Sequence, residues 1–335
     1  MKPNGRKTRI FLDNCDVVID AAYNEGIALK NDSKNESLKN TLEMLLEKFF
    51  HINVKVHFFG SRVIGLASDK SDLDIFIEID NNFHNDKHIQ RDAKVLREIS
   101  LILKSHSSLW QIKSEVPVTS VPVLKTIYIP RNLECDIVAS NGLGVRNSMM
   151  LGYIFNLQPE AMKFYHFMRV FLPRYDINFD GYLLKLLVIF YFQNENLLPS
   201  ILKVQEGLHS EMIGGWNVQF DAARDLKYYK MKPISNFKHY VANFFEFYAT
   251  FNYHKNVMSV HHGIKKNRAV YSYNDEIKVE YMLCIFGPIN LKHNIGKYLK
   301  KPKVYTFMLK CEGIFFGFLK YHPWNVAYEK MKEDS

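Results

Sequence analysis

Apolar residues recur at helical spacing from Ile10 to about Leu29 and again from Leu38 to His51, and the polar run "NDSKNES" separates them as a loop. Next, "NVKVHFF" alternates into Gly60 and "SDLDIFIEI" makes a second strand, after which "DAKVLREISLILK" presents Val95, Ile99 and Leu103 on one helical face. Two β-branched runs, "VTSVPVLKTIYI" and "LECDIVAS", predict neighbouring strands. The strands then stop. From Leu143 to about Phe192 the pattern is helical, punctuated by Pro159, Pro173 and Gly181; a loop-rich stretch follows, and helices resume near Phe237 and near the C-terminus.

This order predicts a mixed α/β unit over 46–142, preceded by N-terminal helices (1–45) that pack on a helical unit (143–335), with the boundary in "ASNGLG". The greasiest segment, "YLLKLLVIFYF", is too short to span a bilayer and is interrupted by Lys185, so it predicts a buried helix. With 47% hydrophobic and 14% aromatic residues in 335, the chain has enough apolar material for an ordered core and for two domains. A net charge of +9 favours a polyanionic partner such as RNA, or simply a soluble basic surface. Cys15, Cys135, Cys284 and Cys311 are scattered without a CxxC pair, which argues against a zinc site or disulfide framework and for a reducing, cytoplasmic setting, with the nucleus left open for so basic a chain. The basic N-terminus lacks the apolar run of a signal peptide, and no membrane association is expected.

The chemistry concentrates in "GSRVIGLASDKSDLDIFIEID". On a strand, Asp72 and Asp74 project from one face while Leu73 and Ile75 point to the core, and two like charges so placed repel unless a cation lies between them. Alone, such a pair is commonly just the solvated face of a surface strand. Gly60-Ser61, eleven residues upstream at a strand end, supplies a turn where a phosphate can approach the backbone and where a following helix would offer free N–H donors. Asp136, on a later strand, is placed to complete a cluster of three carboxylates.

Gly-Ser, Asp-x-Asp and a later Asp together resemble the signature of the DNA polymerase β-like nucleotidyltransferase superfamily. The resemblance extends to the terminal uridylyltransferase and template-independent poly(A) polymerase branch through "VPVLK" before "CDI", "NGLGVRNSMML", "GWNVQF", "FFEFY" and "LCIFGPINLKHNIG", over about residues 40–300. It implies an α+β fold: a polymerase β-like palm with a mixed sheet, plus a larger helical PAP-associated domain, bilobal with a cleft between. It further implies two Mg²⁺ or Mn²⁺ ions on Asp72, Asp74 and Asp136, promoting in-line attack of an RNA 3′-hydroxyl on a nucleoside triphosphate. By the same resemblance Gly60, Ser61 and the neighbouring Ser71 belong to the nucleotide site, Asn141 binds the ribose, Ser148 touches the triphosphate and Tyr182 stacks on the base. Each has a plainer alternative: turn geometry for Asn141, a backbone hydrogen bond for Ser148, core packing for Tyr182.

The chain also departs from that pattern. Where the family presents two lysines four residues apart, "FMRVFLP" has Arg169 and Pro173, and the proline is expected to end the helix early. Where Ser-Ser-Tyr opens the next helix, Asp180-Gly181-Tyr182 stands instead. A lost hydroxyl and a gained carboxylate each weaken triphosphate binding by about 1–3 kcal/mol in a desolvated site. Lys163, Arg174 and Lys185 are candidates to replace the missing charge. In the recognition motif near 284–296, Gly287 and Asn290 replace acidic residues while His293, which favours uridine in relatives, is retained; Asn290 still offers a carbonyl to uracil N3–H.

For RNA, Arg91, Lys94 and Lys104 on one helix, and Lys227, Tyr228 and Lys230 in "KYYKMK", offer cations interleaved with rings, a mixture that equally describes a solvated surface. The leading expectation is a metal-dependent enzyme adding UMP from UTP to an RNA 3′ end. The alternatives are a weak or inactive RNA-binding relative and an adenylyl-adding poly(A) polymerase.

Overall fold

The computed structural model describes residues 15–114, 122–271 and 280–321. The chain forms two compact units, one from Tyr23–Ile154 with Gly207–Ala222, the other from the chain up to Ala22, Phe155–Glu206 and the chain from Ala223 onward.

In the first unit, β1 (Val54–Phe59), β2 (Leu73–Ile79), β3 (Trp110–Ser114), β4 (Leu124–Tyr128) and β5 (Leu133–Val138) form a sheet of order β1-β2-β5-β4-β3. β2 and β5 run parallel, and the other pairs are antiparallel, giving the expected mixed sheet. α1 (Cys15–Lys30) and α2 (Lys34–Phe50) precede it, and α3 (Ile89–Ser105) connects β2 to β3. Strand alternation sends Val54, Val56, Leu73, Ile75, Ile77, Cys135 and Ile137 to one face, where they meet Leu38, Leu42 and Leu46 of α2 and Leu96, Ile99 and Leu103 of α3. The helices therefore back the sheet on the side opposite Asp74 and Asp136.

This backing corrects the expected domain limits. Because α2 spends its i, i+4 leucine stripe on the sheet, it belongs with the sheet rather than with a helical domain, and the division falls inside α1 at Ala22 and Tyr23. The later boundary lies within α4 (Leu143–Leu157), at Ile154 and Phe155, beyond "ASNGLG". Residues 207–222 also return to the sheet unit, carrying a hairpin of β6 (Met212–Ile213) and β7 (Trp216–Asn217). Arg146 of α4 holds this segment by donating to Glu211 and, at 3.2 Å, to Gln219. β3 was not expected; Trp110 earns its place by packing 5.0 Å from Tyr128 of β4. The N-terminal part of the predicted "VTSVPVLKTIYI" strand, residues 118–121, lies outside the described residues, as do residues 10–14 of the first predicted helix.

The second unit contains α5 (Pro159–Phe171), α6 (Gly181–Asn194), α7 (Ile201–Gln205), α8 (Phe237–Thr250) and α9 (Lys301–Tyr321). Every residue of α6 from Leu183 to Gln193 is buried, as a helix that is apolar on all sides requires. Phe164 of α5 lies 4.8 Å from Phe192 of α6, and the hydroxyl of Tyr248 on α8 donates to the Leu187 carbonyl at 2.7 Å. A small sheet of order β10-β8-β9, from β8 (Asn256–Ser259), β9 (Ile264–Asn267) and β10 (Ile285–Phe286), was not legible as strands. No helix among the described residues is long and apolar enough to cross a membrane.

At the β8–β9 turn, burial pushes the His261 imidazole below its ordinary range, and burial, then Lys266 and His261, bring His262 down to about 4. Unfolded, these rings take up protons near 6.5, before the folded ones do, so stability is full above that pH and declines as pH falls toward 4. Thermal melts between pH 7 and pH 4.5 should show this loss, and His262→Gln should flatten part of it.

Candidate active site

β1 ends at Phe59, whose register partner on β2 is Asp74. The next residue, Gly60, has φ +77°, and a Cβ there would lie 1.7 Å from Asp74 Oδ2. Glycine is thus required twice, by the backbone angle and by the carboxylate that fills the space beside it. The turn is pinned by Ser148 of α4, whose hydroxyl accepts from the Gly60 N–H at 2.9 Å and donates to the Gly144 carbonyl at 3.0 Å. Residues 61–65 are turn rather than helix, so no helix start follows Ser61 as expected; the donors there are turn amides.

Buried Arg62 closes the connection to β2, donating to the Ser71 carbonyl at 2.6 Å and the Asp69 carbonyl at 2.8 Å. The Ser71 hydroxyl accepts from Ser68 N–H at 3.0 Å. Asp72 then stands immediately before β2 and Asp74 within it, and the parallel pairing puts Asp74 opposite Asp136 of β5. Facing residues of neighbouring strands share one side of the sheet, so these two carboxylates are brought together. Burial, then the charges of Asp136 and Glu134, raise the Asp72 carboxyl above the usual range; Lys125 and Lys113 oppose the shift.

Lys125 was not picked out from the sequence. It lies opposite Asp136 on β4 and donates to both carboxylate oxygens, at 2.7 and 3.1 Å. Hard divalent cations take oxygen ligands, and carboxylates gathered on one face, with Asp72 raised by burial and by the neighbouring negative charges, suit such an ion in both donor type and charge. Among the described residues, no three His, Cys, Asp or Glu side chains are already gathered as a metal site. As the structure stands, an ammonium group supplies the positive charge at Asp136.

Two expected nucleotide residues in this unit are engaged by backbone. Ser148 serves the Gly60 turn, and Asn141, buried, donates to the Asn85 carbonyl at 3.0 Å and accepts from Leu143 N–H at 3.2 Å. Beneath it the Phe83 ring occupies the space where a Cβ on Gly142 would fall, at 2.4 Å.

In the helical unit, Arg169 is half-buried on the last turn of α5, which ends at Phe171, and Pro173 sits in a 3₁₀ turn over Leu172–Tyr175. Asp180 caps α6 by accepting from Tyr182 N–H at 2.7 Å and Leu183 N–H at 3.0 Å. Gly181 lies over the buried Tyr165 hydroxyl, where a Cβ would approach to 3.3 Å, so the serine of the family pattern would be crowded. Lys163 pairs with Asp20 at 3.7 Å, Lys185 is buried and Arg174 is exposed. Tyr182 is half-buried on the first turn of α6, and its hydroxyl lies 3.6 Å from where a Cβ on Gly287 would be, so the structure joins it to the recognition loop.

Within that loop, Asn290 Oδ1 accepts from Lys292 N–H at 3.1 Å, and the half-buried His293 ring meets Tyr298 edge to face at 6.4 Å. Asn294, also missed from the sequence, ties the loop down by accepting from Ile285 N–H at 3.1 Å and Gly296 N–H at 2.9 Å. Its only signal was an asparagine ahead of Ile-Gly, a cap residue.

Arg91, Lys94 and Lys104 are exposed on α3, which lies behind the sheet from the carboxylates, so the structure does not bring them to that face. Lys227 and Lys230 are exposed, whereas the Tyr228 ring is engaged by Lys203 at 4.4 Å and Arg224 at 4.5 Å.

Residues 21–156 match the family described as poly(A) RNA polymerase, mitochondrial-like, central palm domain, and residues 240–293 match Cid1 family poly A polymerase. In these two regions the chain is similar to the terminal uridylyltransferase and poly(A) polymerase branch that its motifs resemble. Among relatives of this branch, terminal uridylyltransferase 7 of Homo sapiens is 24% identical over 93% of the chain, and terminal uridylyltransferase cid1 of Schizosaccharomyces pombe is 23% identical over 93%. The chain spans about a fifth (21%) of the length of the human relative and 80% of the yeast one. The fold is that of mtPAP, solved with UTP, at TM-score 0.72 and 17% identity, over 92% of this chain and 70% of that one. The Cid1 poly(U) polymerase, solved with Mg and 3′-dATP, aligns at TM-score 0.67 and 19% identity, over 87% of this chain and 88% of that one.

Gly60→Ala should destabilise the protein by about 2 kcal/mol or more in denaturant titrations, since it combines a strained backbone angle with displacement of Asp74. Ser148→Ala, which removes only the pin, should cost about 1 kcal/mol.

Proposed function

We propose that this chain is a metal-dependent, template-independent RNA 3′-terminal nucleotidyltransferase whose preferred donor is UTP. The observation that carries the reading is the register that sets Asp74 against Asp136, with Asp72 one residue before β2 and the Gly60 turn alongside. Mg²⁺ or Mn²⁺ on these three carboxylates would offset the triphosphate charge and sharpen the 3′-hydroxyl as a nucleophile. The residues of the chain supply position. The turn amides after Gly60 would receive incoming phosphate, Ser148 keeps that turn in shape, and the hydrophobic layer behind β2 and β5 fixes where the carboxylates stand.

On the helical unit, Tyr182 offers its ring for stacking at the start of a rigid helix, and Arg169 offers a cation for phosphate. Asn290 Oδ1 spends one lone pair on Lys292 N–H and keeps the other for uracil N3–H, with His293 three residues on. The uridylyltransferase names of the human and yeast relatives support the base preference. A second reading, adenylyl transfer, is favoured by the mitochondrial-like poly(A) polymerase description that the palm matches.

The test is extension of a labelled oligoribonucleotide with Mg²⁺ or Mn²⁺ and each nucleoside triphosphate in turn. UTP should extend it faster than ATP, and Asp74→Asn should lower the rate at least about a hundredfold. Faster extension with ATP selects the adenylyl reading. No extension under any condition overturns the enzyme and leaves an RNA-binding relative.

A further inference from the structure

We propose that Lys125 is a resident counter-ion of the carboxylate site, which a divalent cation must displace from Asp136 before that carboxylate can act as a ligand. The inference rests on the metal-dependent reading above and concerns a side chain that reading does not use.

The cross-strand register leaves Lys125 directly opposite Asp136, and its Nζ engages both oxygens, at 2.7 and 3.1 Å. An ammonium and a divalent ion therefore compete for the same lone pairs, and being both positive they repel each other at that distance. A nearby pair, Lys113 on β3 and Glu134 on β5, shows what an ordinary surface contact looks like. Lys113 meets Glu134 at 2.7 Å, with the Glu134 side chain 52% exposed, and Glu134 acts on Asp72 less strongly than Asp136 does, as Lys113 does less strongly than Lys125. Asp136 is only 23% exposed, stands beside Asp74, and acts electrostatically on Asp72. The charge of Lys125 is thus coupled to Asp136 and to Asp72.

The side chain is also suited to leave. Lysine carries a compact charge on a long flexible stem, and Lys125 is half exposed, so it can turn to water without disturbing a core residue. While present, it offsets the repulsion between the paired carboxylates and keeps the metal-free sheet intact. When displaced, it opens Asp136. The result is a cation site with a built-in threshold, which binds metal only once the free ion outcompetes the lysine.

The experiment measures Mn²⁺ binding to the nucleotide-free full chain by electron paramagnetic resonance, together with melting temperature in EDTA and in Mn²⁺, for the wild type, Lys125→Met and Lys125→Arg. Lys125→Met is expected to bind Mn²⁺ tighter by on the order of tenfold, to melt lower in EDTA, and to recover that loss in Mn²⁺. Lys125→Arg should stay near the wild type, and adding Asp136→Asn to Lys125→Met should cancel the gain. If the wild type binds Mn²⁺ but Lys125→Met binds it no tighter, or melts lower in a way that Mn²⁺ does not restore, the proposal is overturned while the metal-dependent reading stands. If none of the proteins binds Mn²⁺ at millimolar concentration, the metal-dependent reading falls, and the proposal with it.

Discussion

Parallel pairing of β2 with β5 seats Asp74 against Asp136 at strand spacing, and holding two like charges there is the constraint around which the sheet unit is built. The strands stay in place because their other face is covered by leucines and isoleucines of α2 and α3, whose burial outweighs the repulsion in front. In front, the compensation is polar and specific: Lys125 on Asp136, a residue without a side chain at Gly60 where the Asp74 carboxylate needs room, and a serine hydroxyl fastening that turn from α4.

Much of this was legible because it is local. The Asp-x-Asp spacing, the alternation of "SDLDIFIEI" and the Gly-Ser turn are properties of a few consecutive residues, and strand periodicity alone assigns their faces. What escaped is non-local. Lys125 matters through a cross-strand partner eleven residues on, Arg146 through Glu211 and Gln219, and Asn294 through the Ile285 amide of β10 as well as its local cap. Short strands such as β3, β8 and β10 carry too few residues to show a period, and the docking of α2 on the sheet is a tertiary choice that its leucine stripe permits without specifying. Ser148 and Asn141 stood out in the sequence as polar positions beside the motifs, whereas their backbone partners, Gly60 and Asn85, lie far along the chain and emerge only from the fold.

The departures at the head of α6 have local physical causes. Asp180 is an N-cap as competent as the serine it replaces, with the added benefit of a negative charge at the positive end of a helix. Gly181 accommodates the Tyr165 hydroxyl beneath it. Together they describe a helix start adapted to its own neighbours.

That helix has one more consequence. Because α6 is encased from Leu183 to Gln193, the residue at its head has almost no backbone freedom left to lose. A ring mounted on so immobile a base would meet a planar guest with its conformational entropy already surrendered during folding. Recognition there would draw on preorganisation, and a guest that stacked poorly would gain nothing from adjustment of the host.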